Sequence, residues 1–170
     1  MPTALESMFR EFHEEVPVTR RVLERVPADK LSWKPHPTSM PLGHLAMHVA
    51  KIPGFFAKVV QAAELDMAKV SVPPPECPTN PSEILVALDQ SILEFEECLE
   101  RMTEQQSLQI WSLKMGEKVF LSRPRIDVLR TILLNHWYHH RGQIAVYFRM
   151  LEVPVPAIYG GSADENPLAS

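Results

Sequence analysis

The chain has 170 residues, 45% of them hydrophobic and 22% charged, with seven His, two Cys, sixteen Pro and six Gly. That is an ordinary globular composition at the usual length of one domain, so residues 1–170 are read as a single domain whose core needs no disulfide staples. The formal net charge of −4 gives no electrostatic footprint for nucleic acid or an anionic membrane, because those partners are held chiefly through Lys and Arg on phosphate.

The N-terminal stretch MPTALESMFREFHEEV is charged by residue 6 and has no apolar run, so no export or transit signal is read and a cytoplasmic location is expected. No run of about 18 uncharged apolar residues exists to span a bilayer. Without an export signal, Cys77 and Cys98 are expected to be free thiols. Thr3 followed by Glu6 is a capping-box pattern, and apolar residues from Leu5 to Val26 recur at helical spacing. Pro17 predicts a kink in this first helix and Pro27 closes it. The proline-rich stretch PADKLSWKPHPT reads as an extended connector.

A second helix is predicted from an N-cap at Ser39 to about Met67, bent at Pro53. The run SVPPPECPTNP is expected to be extended and polyproline-like. Asn80, Pro81 and Glu83 then start a third helix, with Ile84, Leu88, Ile92, Phe95 and Leu99 on its apolar face. In LQIWSLKMGEKVFLS, β-favouring residues flank Met115 and Gly116, which predicts a short hairpin. Pro124 opens a long last helix, from about Arg125 to Glu152, that Pro154 ends. Four amphipathic helices with no βαβ alternation and no phosphate-binding loop give an all-α expectation: an antiparallel four-helix bundle with irregular crossover loops.

The histidines concentrate the chemistry. Winding the last helix at about 100° per residue puts His136 and His140 in one stripe with Leu129, Leu133, Ile144 and Tyr147, and puts His139 on the flank. Two inward imidazoles are read either as hydrogen-bonded core residues or as two ligands of one ion. The i, i+4 spacing lets both reach a single ion, and an ion satisfies two ring nitrogens that an apolar stripe would leave without partners. On the second helix His48 lies at the edge of the Leu45, Ile52 and Val59 face, so it is the better third ligand. His44 is one step further toward solvent and is read either as supporting a ligand from behind or as lining the pocket. His13, beside Glu14 and Glu15, and His36, between two prolines, are read as surface residues along with His139.

The segments LERVPADKLSWKPHPTSMPLGHLAMHVA and NHWYHHRGQIAVYFRMLEVPVP, with the closing PAIYGGSADENP, resemble the DinB/YfiT-like metalloenzyme superfamily. The resemblance is specific over roughly two-fifths of the chain. It implies a four-helix bundle with one divalent ion, nickel or zinc, held by His48, His136 and His140, the three that angular position also selects. Leu151 and Glu152 stand where many members have Leu-Gly, a departure confined to the helix exit. The resemblance further implies a homodimer and a transferase or isomerase that uses a low-molecular-weight thiol such as bacillithiol, mycothiol or glutathione.

Three imidazoles leave a divalent ion with an open position, the arrangement of a catalytic site. The first expectation is therefore a metal-dependent enzyme that activates a thiol against an electrophilic small molecule. The alternatives are a hydrolase using metal-bound hydroxide and a stress-linked metal-binding protein without turnover. No Glu adjoins His136 or His140 in an HExxH arrangement, so a zincin-type base is not expected. Trp33, Trp137 and Tyr159 are either pocket or packing residues. Gln143 projects near the ligand stripe, where it can orient a ligand, and Arg141 is expected to make an ion pair or cap a loop carbonyl. Gly142, opposite the ligands, leaves room for another helix or a second subunit.

Overall fold

The computed structural model describes residues 1–70 and 77–167; the first six residues of the expected polyproline-like run lie outside them. Helix α1, Ala4–Leu23, begins with the expected capping box: the Glu6 N–H donates to the Thr3 hydroxyl at 3.1 Å and the Thr3 N–H to the Glu6 carboxylate at 2.7 Å. The helix runs through Pro17 without a break.

Helix α2, Leu42–Val59, is shorter at both ends than its periodicity predicts. Ser39 is not its cap. Pro41 precedes the first turn without a side-chain hydrogen bond, and the connector's own carbonyls take the orphan donors instead. The Leu42 N–H reaches the Trp33 carbonyl at 2.9 Å and the Gly43 N–H reaches that of Leu31 at 2.8 Å. The far end stops before Met67 because side chains distant in sequence capture its last carbonyls. The Trp111 indole N–H donates to Val59 O at 3.0 Å, and the buried Arg125 guanidinium donates to Val60 O at 2.8 Å and Ala62 O at 3.2 Å. A cation at a helix C-terminus also complements the macrodipole, which explains a buried Arg held by carbonyls.

Pro53 lies inside α2 and has no N–H, so the Val49 carbonyl one turn earlier loses its helical donor. The Trp137 indole N–H supplies it at 2.9 Å. Helix α3, Pro81–Arg101, starts with Asn80 accepting from the Glu83 N–H. It packs closely on α2 at Gly54, whose N–H donates to the Ser91 hydroxyl at 2.6 Å and where a Cβ would lie 3.2 Å from the Ser91 Cα.

A one-turn helix α4, Glu104–Ser107, leads into the expected hairpin of β2, Ile110–Met115, and β3, Lys118–Pro124. Gly116 supplies the positive φ of +60° that the turn requires. A strand that periodicity assigned to the second helix, β1 over Glu64–Asp66, pairs parallel with β2, giving a three-stranded sheet in the order β1-β2-β3. The all-α expectation is corrected accordingly: the fold is mostly helical with a small sheet. Asp66 ties β1 to the hairpin turn, accepting from the Gly116 N–H at 2.9 Å and from the Ala68 N–H at 3.1 Å.

The last helical rod comprises α5, Arg125–Val128, a π-helical segment, Leu129–Leu134, and α6, Asn135–Met150. Helix α2 packs against α3 and α6, and α1 against the same two. Between them lie Phe12, Leu45, Leu88, Phe95, Leu133, Trp137 and Phe148, each fully buried. Phe12 stacks on Trp137 at 5.5 Å between ring centroids. After α6 the chain turns back along α1, where the Arg25 guanidinium donates to Pro154 O at 2.9 Å and Glu165 accepts from the Ala157 N–H at 2.7 Å. Among the described residues, no helix is long and apolar enough to cross a membrane. Cys77 is exposed and Cys98 buried, and neither is in a disulfide.

Candidate metal centre

The last helix reaches its histidines after the π-helical segment Leu129–Leu134, which alters the winding between the leucines and the histidines. A straight α-helix would carry Leu129, Leu133, His136 and His140 on one buried stripe. Wider i→i+5 turns insert about one residue of rotation, roughly 100°, between the leucines and the histidines. Leu129, Leu133 and Leu134 are accordingly at 0% exposure, while His136 and His140 are only partly buried and face His48 on α2.

The three rings meet there. Ring centroids stand 5.0 Å apart for His48 and His136, 4.7 Å for His48 and His140, and 4.5 Å for His136 and His140. One ring nitrogen from each lies within 4.8 Å of the others, a grouping that can hold a metal ion. The Nε2 atoms of His48 and His136 are 3.1 Å apart. Two nitrogens bound to one zinc-like ion stand about 3.3 Å apart in tetrahedral geometry and about 2.9 Å when cis in octahedral geometry, taking bonds of about 2.0–2.1 Å. The observed separation lies between the two, so the His48 and His136 pair is spaced for either geometry. On its far nitrogen, His140 has Nδ1 at 2.7 Å from the Gln143 side-chain oxygen.

Electrostatics keep the donors in the ligating form. His136 is pushed down to about 4, first by burial and then by His140, His48 and His139. Burial also lowers His48, with His140 adding to the effect, and lowers His140 against the opposing hydrogen bond to the Gln143 side-chain oxygen. All three are neutral at pH 7, as an imidazole ligand must be. The same shifts set a pH dependence of stability. Between 6.5 and about 4 the unfolded chain takes up a proton at His136 that the folded chain refuses, so stability is lost as pH falls through that window. Urea midpoints measured from pH 7.5 to 5.0 in the metal-free protein should decline, and His136→Ala should flatten the decline; an equal decline in the variant would refute this assignment.

The remaining histidines sort largely as expected. His13 is exposed, with its ring on Phe9 O at 2.9 Å and Glu96 at 3.0 Å. His36 is exposed and within 2.8 Å of the Thr38 hydroxyl. His139 is exposed although its ring lies 4.9 Å from that of His140, and His44, partly buried, sits one turn before His48 outside the cluster. The aromatic candidates are packing or network residues. Trp137 is core, Trp33 meets Tyr147 edge-on at 5.5 Å, and the Tyr159 hydroxyl donates to Glu15 at 2.9 Å. Beside Gly142 the space is open: among the described residues nothing lies within 4 Å of where a Cβ would stand.

Arg141 makes the ion pair expected of it, in a cluster whose partners the sequence did not name. Arg141, adjacent to His140 but on the opposite flank, is 1% exposed and pairs with Glu15 of α1 at 2.6 Å. It also donates to the Thr19 hydroxyl at 2.9 Å and to the Tyr159 hydroxyl, with its guanidinium over the Tyr138 ring. Tyr138 in turn donates to Glu11 at 2.9 Å. Glu15 reads as a surface acid beside Glu14, and only the placement of α6 against α1 reveals it as the buried counter-charge. The network fixes the rotation of α6, and with it the aim of His136 and His140.

The chain matches the family model described as DinB family over residues 1–167. No curated protein matches it. Among solved structures it is similar to a DinB-like protein from Bacillus cereus, at 23% identity and a TM-score of 0.72, covering 91% of this chain and 97% of that one. It is similar to a DinB-like protein from Bacillus subtilis at 20% identity and a TM-score of 0.64, covering 88% and 95% respectively. A mycothiol-dependent maleylpyruvate isomerase, solved as a point mutant, shares the fold at 12% identity and a TM-score of 0.56, covering 92% of this chain and 68% of that one. A helical fold with three converging imidazoles and a family match along nearly the whole chain lead to one conclusion: the protein belongs to the DinB family.

Proposed function

We propose that this protein is a divalent-metal enzyme in which His48, His136 and His140 hold nickel or zinc and a low-molecular-weight thiol is activated for attack on an electrophilic small molecule. The convergence of three neutral imidazoles carries the reading. When bound, the ion would supply Lewis acidity, drawing the proton from a coordinated thiol at neutral pH because neutral ligands leave its double charge undiminished.

The chain's own residues shape what that site can do. Residues 30–63 and 128–151, which supply the ligands and the connector above α2, contain no Asp or Glu. No carboxylate from these segments competes for the open position or serves as a base for water. A thiol coordinated to the ion would need no such base, because the metal itself lowers its pKa. The mycothiol dependence of the isomerase similar in fold supports a thiol over water. The exposed stripe of Gly142, Val146 and Met150 on α6 is the face we assign to a homodimer; sedimentation giving only a 19.3 kDa species would remove that assignment.

The thiol reading is tested by incubating the metal-loaded protein with bacillithiol, mycothiol or glutathione and monochlorobimane. Conjugation above the uncatalysed rate is expected with one of the thiols, and is expected to vanish on chelation and in His140→Ala. Metal binding without thiol-dependent turnover would favour the binding-protein alternative, and hydrolysis of ester probes without thiol would favour the hydrolase.

A further inference from the structure

We infer that Gln143 is the positioning residue of the metal site: its side-chain oxygen fixes the His140 tautomer and ring so that Nε2 is the atom offered to the ion. Three observations carry this. The Nε2 atoms of His48 and His136 face each other at 3.1 Å, so the shared point lies on the Nε2 side of both rings. His140 joins the cluster through a nitrogen within 4.8 Å of theirs, while its Nδ1 stands 2.7 Å from Gln143 Oε1. An amide oxygen only accepts, so the Nδ1 carries the proton and Nε2 is left with a free lone pair. Of the three rings, His140 is the one whose second nitrogen has a protein partner among the described residues.

Position in the fold reinforces the assignment. Gln143 follows His140 by three residues on α6, so ligand and orienter share one rigid element and keep their geometry when neighbouring segments move. The side chain lies over the preceding turn, as helical side chains do, which brings its amide to the imidazole. The His140 ring is partly buried and lies 4.9 Å from that of the exposed His139. A hydrogen-bonded partner of this kind raises ligand basicity and removes the entropy of ring rotation.

The affinity arm of the test rests on the metal reading above, and the tautomer arm does not. In the metal-free protein, 15N resonances of the imidazoles should report His140 protonated at Nδ1. Gln143→Ala should shift that ring to a mixture of tautomers, whereas Gln143→Glu should keep it protonated at Nδ1. In competition with a chromophoric chelator for zinc, Gln143→Ala should lose about 10–100-fold in affinity, with Gln143→Glu at or above the wild-type value. A wild-type His140 protonated at Nε2, or an Ala variant with unchanged tautomer and affinity, would overturn the inference. Should wild type bind no zinc while the tautomer shift is seen, the metal reading fails and the role of Gln143 in orienting His140 stands.

Discussion

Metal-loaded protein is expected to carry about one divalent ion per chain, and His48→Ala, His136→Ala and His140→Ala each to lose it. The expectation follows from donor number. Three neutral imidazoles converge on one point, and no Asp or Glu lies in residues 30–63 or 128–151 to replace a missing one. With two donors left, the ion would have to be held mainly by water. Binding to the folded state alone also stabilises it: at free metal about a thousand times the Kd, the gain is about 4 kcal/mol. For a chain of this size that corresponds to a rise in Tm of roughly 8–16 °C. His13→Ala and His36→Ala, at exposed positions outside the cluster, are the controls and should keep both metal and thermal shift. Elemental analysis finding equal metal in wild type and the three ligand variants would refute the site.

Arg141→Met is expected to cost about 3–5 kcal/mol, because it strands the Glu15 carboxylate in a buried setting without its counter-charge. Both groups are deeply placed, at 1% and 11% side-chain exposure, with 2.6 Å between them, so solvent screening offers little relief. A Tm fall of roughly 6–20 °C should follow. The Glu15→Leu/Arg141→Met double variant should recover part of the loss, since removing a buried pair together is far cheaper than removing one partner. Additive losses in the double variant would show that the two groups act separately. The same variants connect stability to the site: Arg141 adjoins His140 in sequence, and the Glu15, Thr19 and Tyr159 contacts hold α6 in one rotation against α1.

Much of the helical framework is legible from local rules. The Thr3–Glu6 box and the Asn80 cap are short-range chemistry, and both form as the residue types predict. The hairpin at Gly116 follows from a turn that needs a positive φ between β-favouring runs. The sorting of His136 and His140 from His139 is likewise local, because three residues in one helix cannot change their relative angles by much.

Where the reading departs from the structure, a non-local contact is responsible. Ser39 loses its capping role to the carbonyls of Leu31 and Trp33, and the end of α2 is set by Trp111 and Arg125, more than 50 residues away in the chain. The residues Glu64–Asp66 form a strand because β2 offers them a parallel partner, and parallel pairing leaves no short-range signal. The π-helical turns of Leu129–Leu134 are equally invisible to a fixed 3.6-residue winding, although they determine how far the histidines turn from the leucine stripe.

The sequence by itself determined which residues are chemically suited to hold an ion and on which helices they ride: His48 on one, His136 and His140 on another, spaced one turn apart. Periodicity and residue type suffice for that, since both are properties of a single helix. Only the tertiary structure decided that the two helices meet with those faces together, at 3.1 Å between Nε2 atoms. Helix rotation is set by packing, by the Trp137 bond to the carbonyl that Pro53 frees, and by the buried Arg141–Glu15 pair, contacts whose partners lie far apart along the chain.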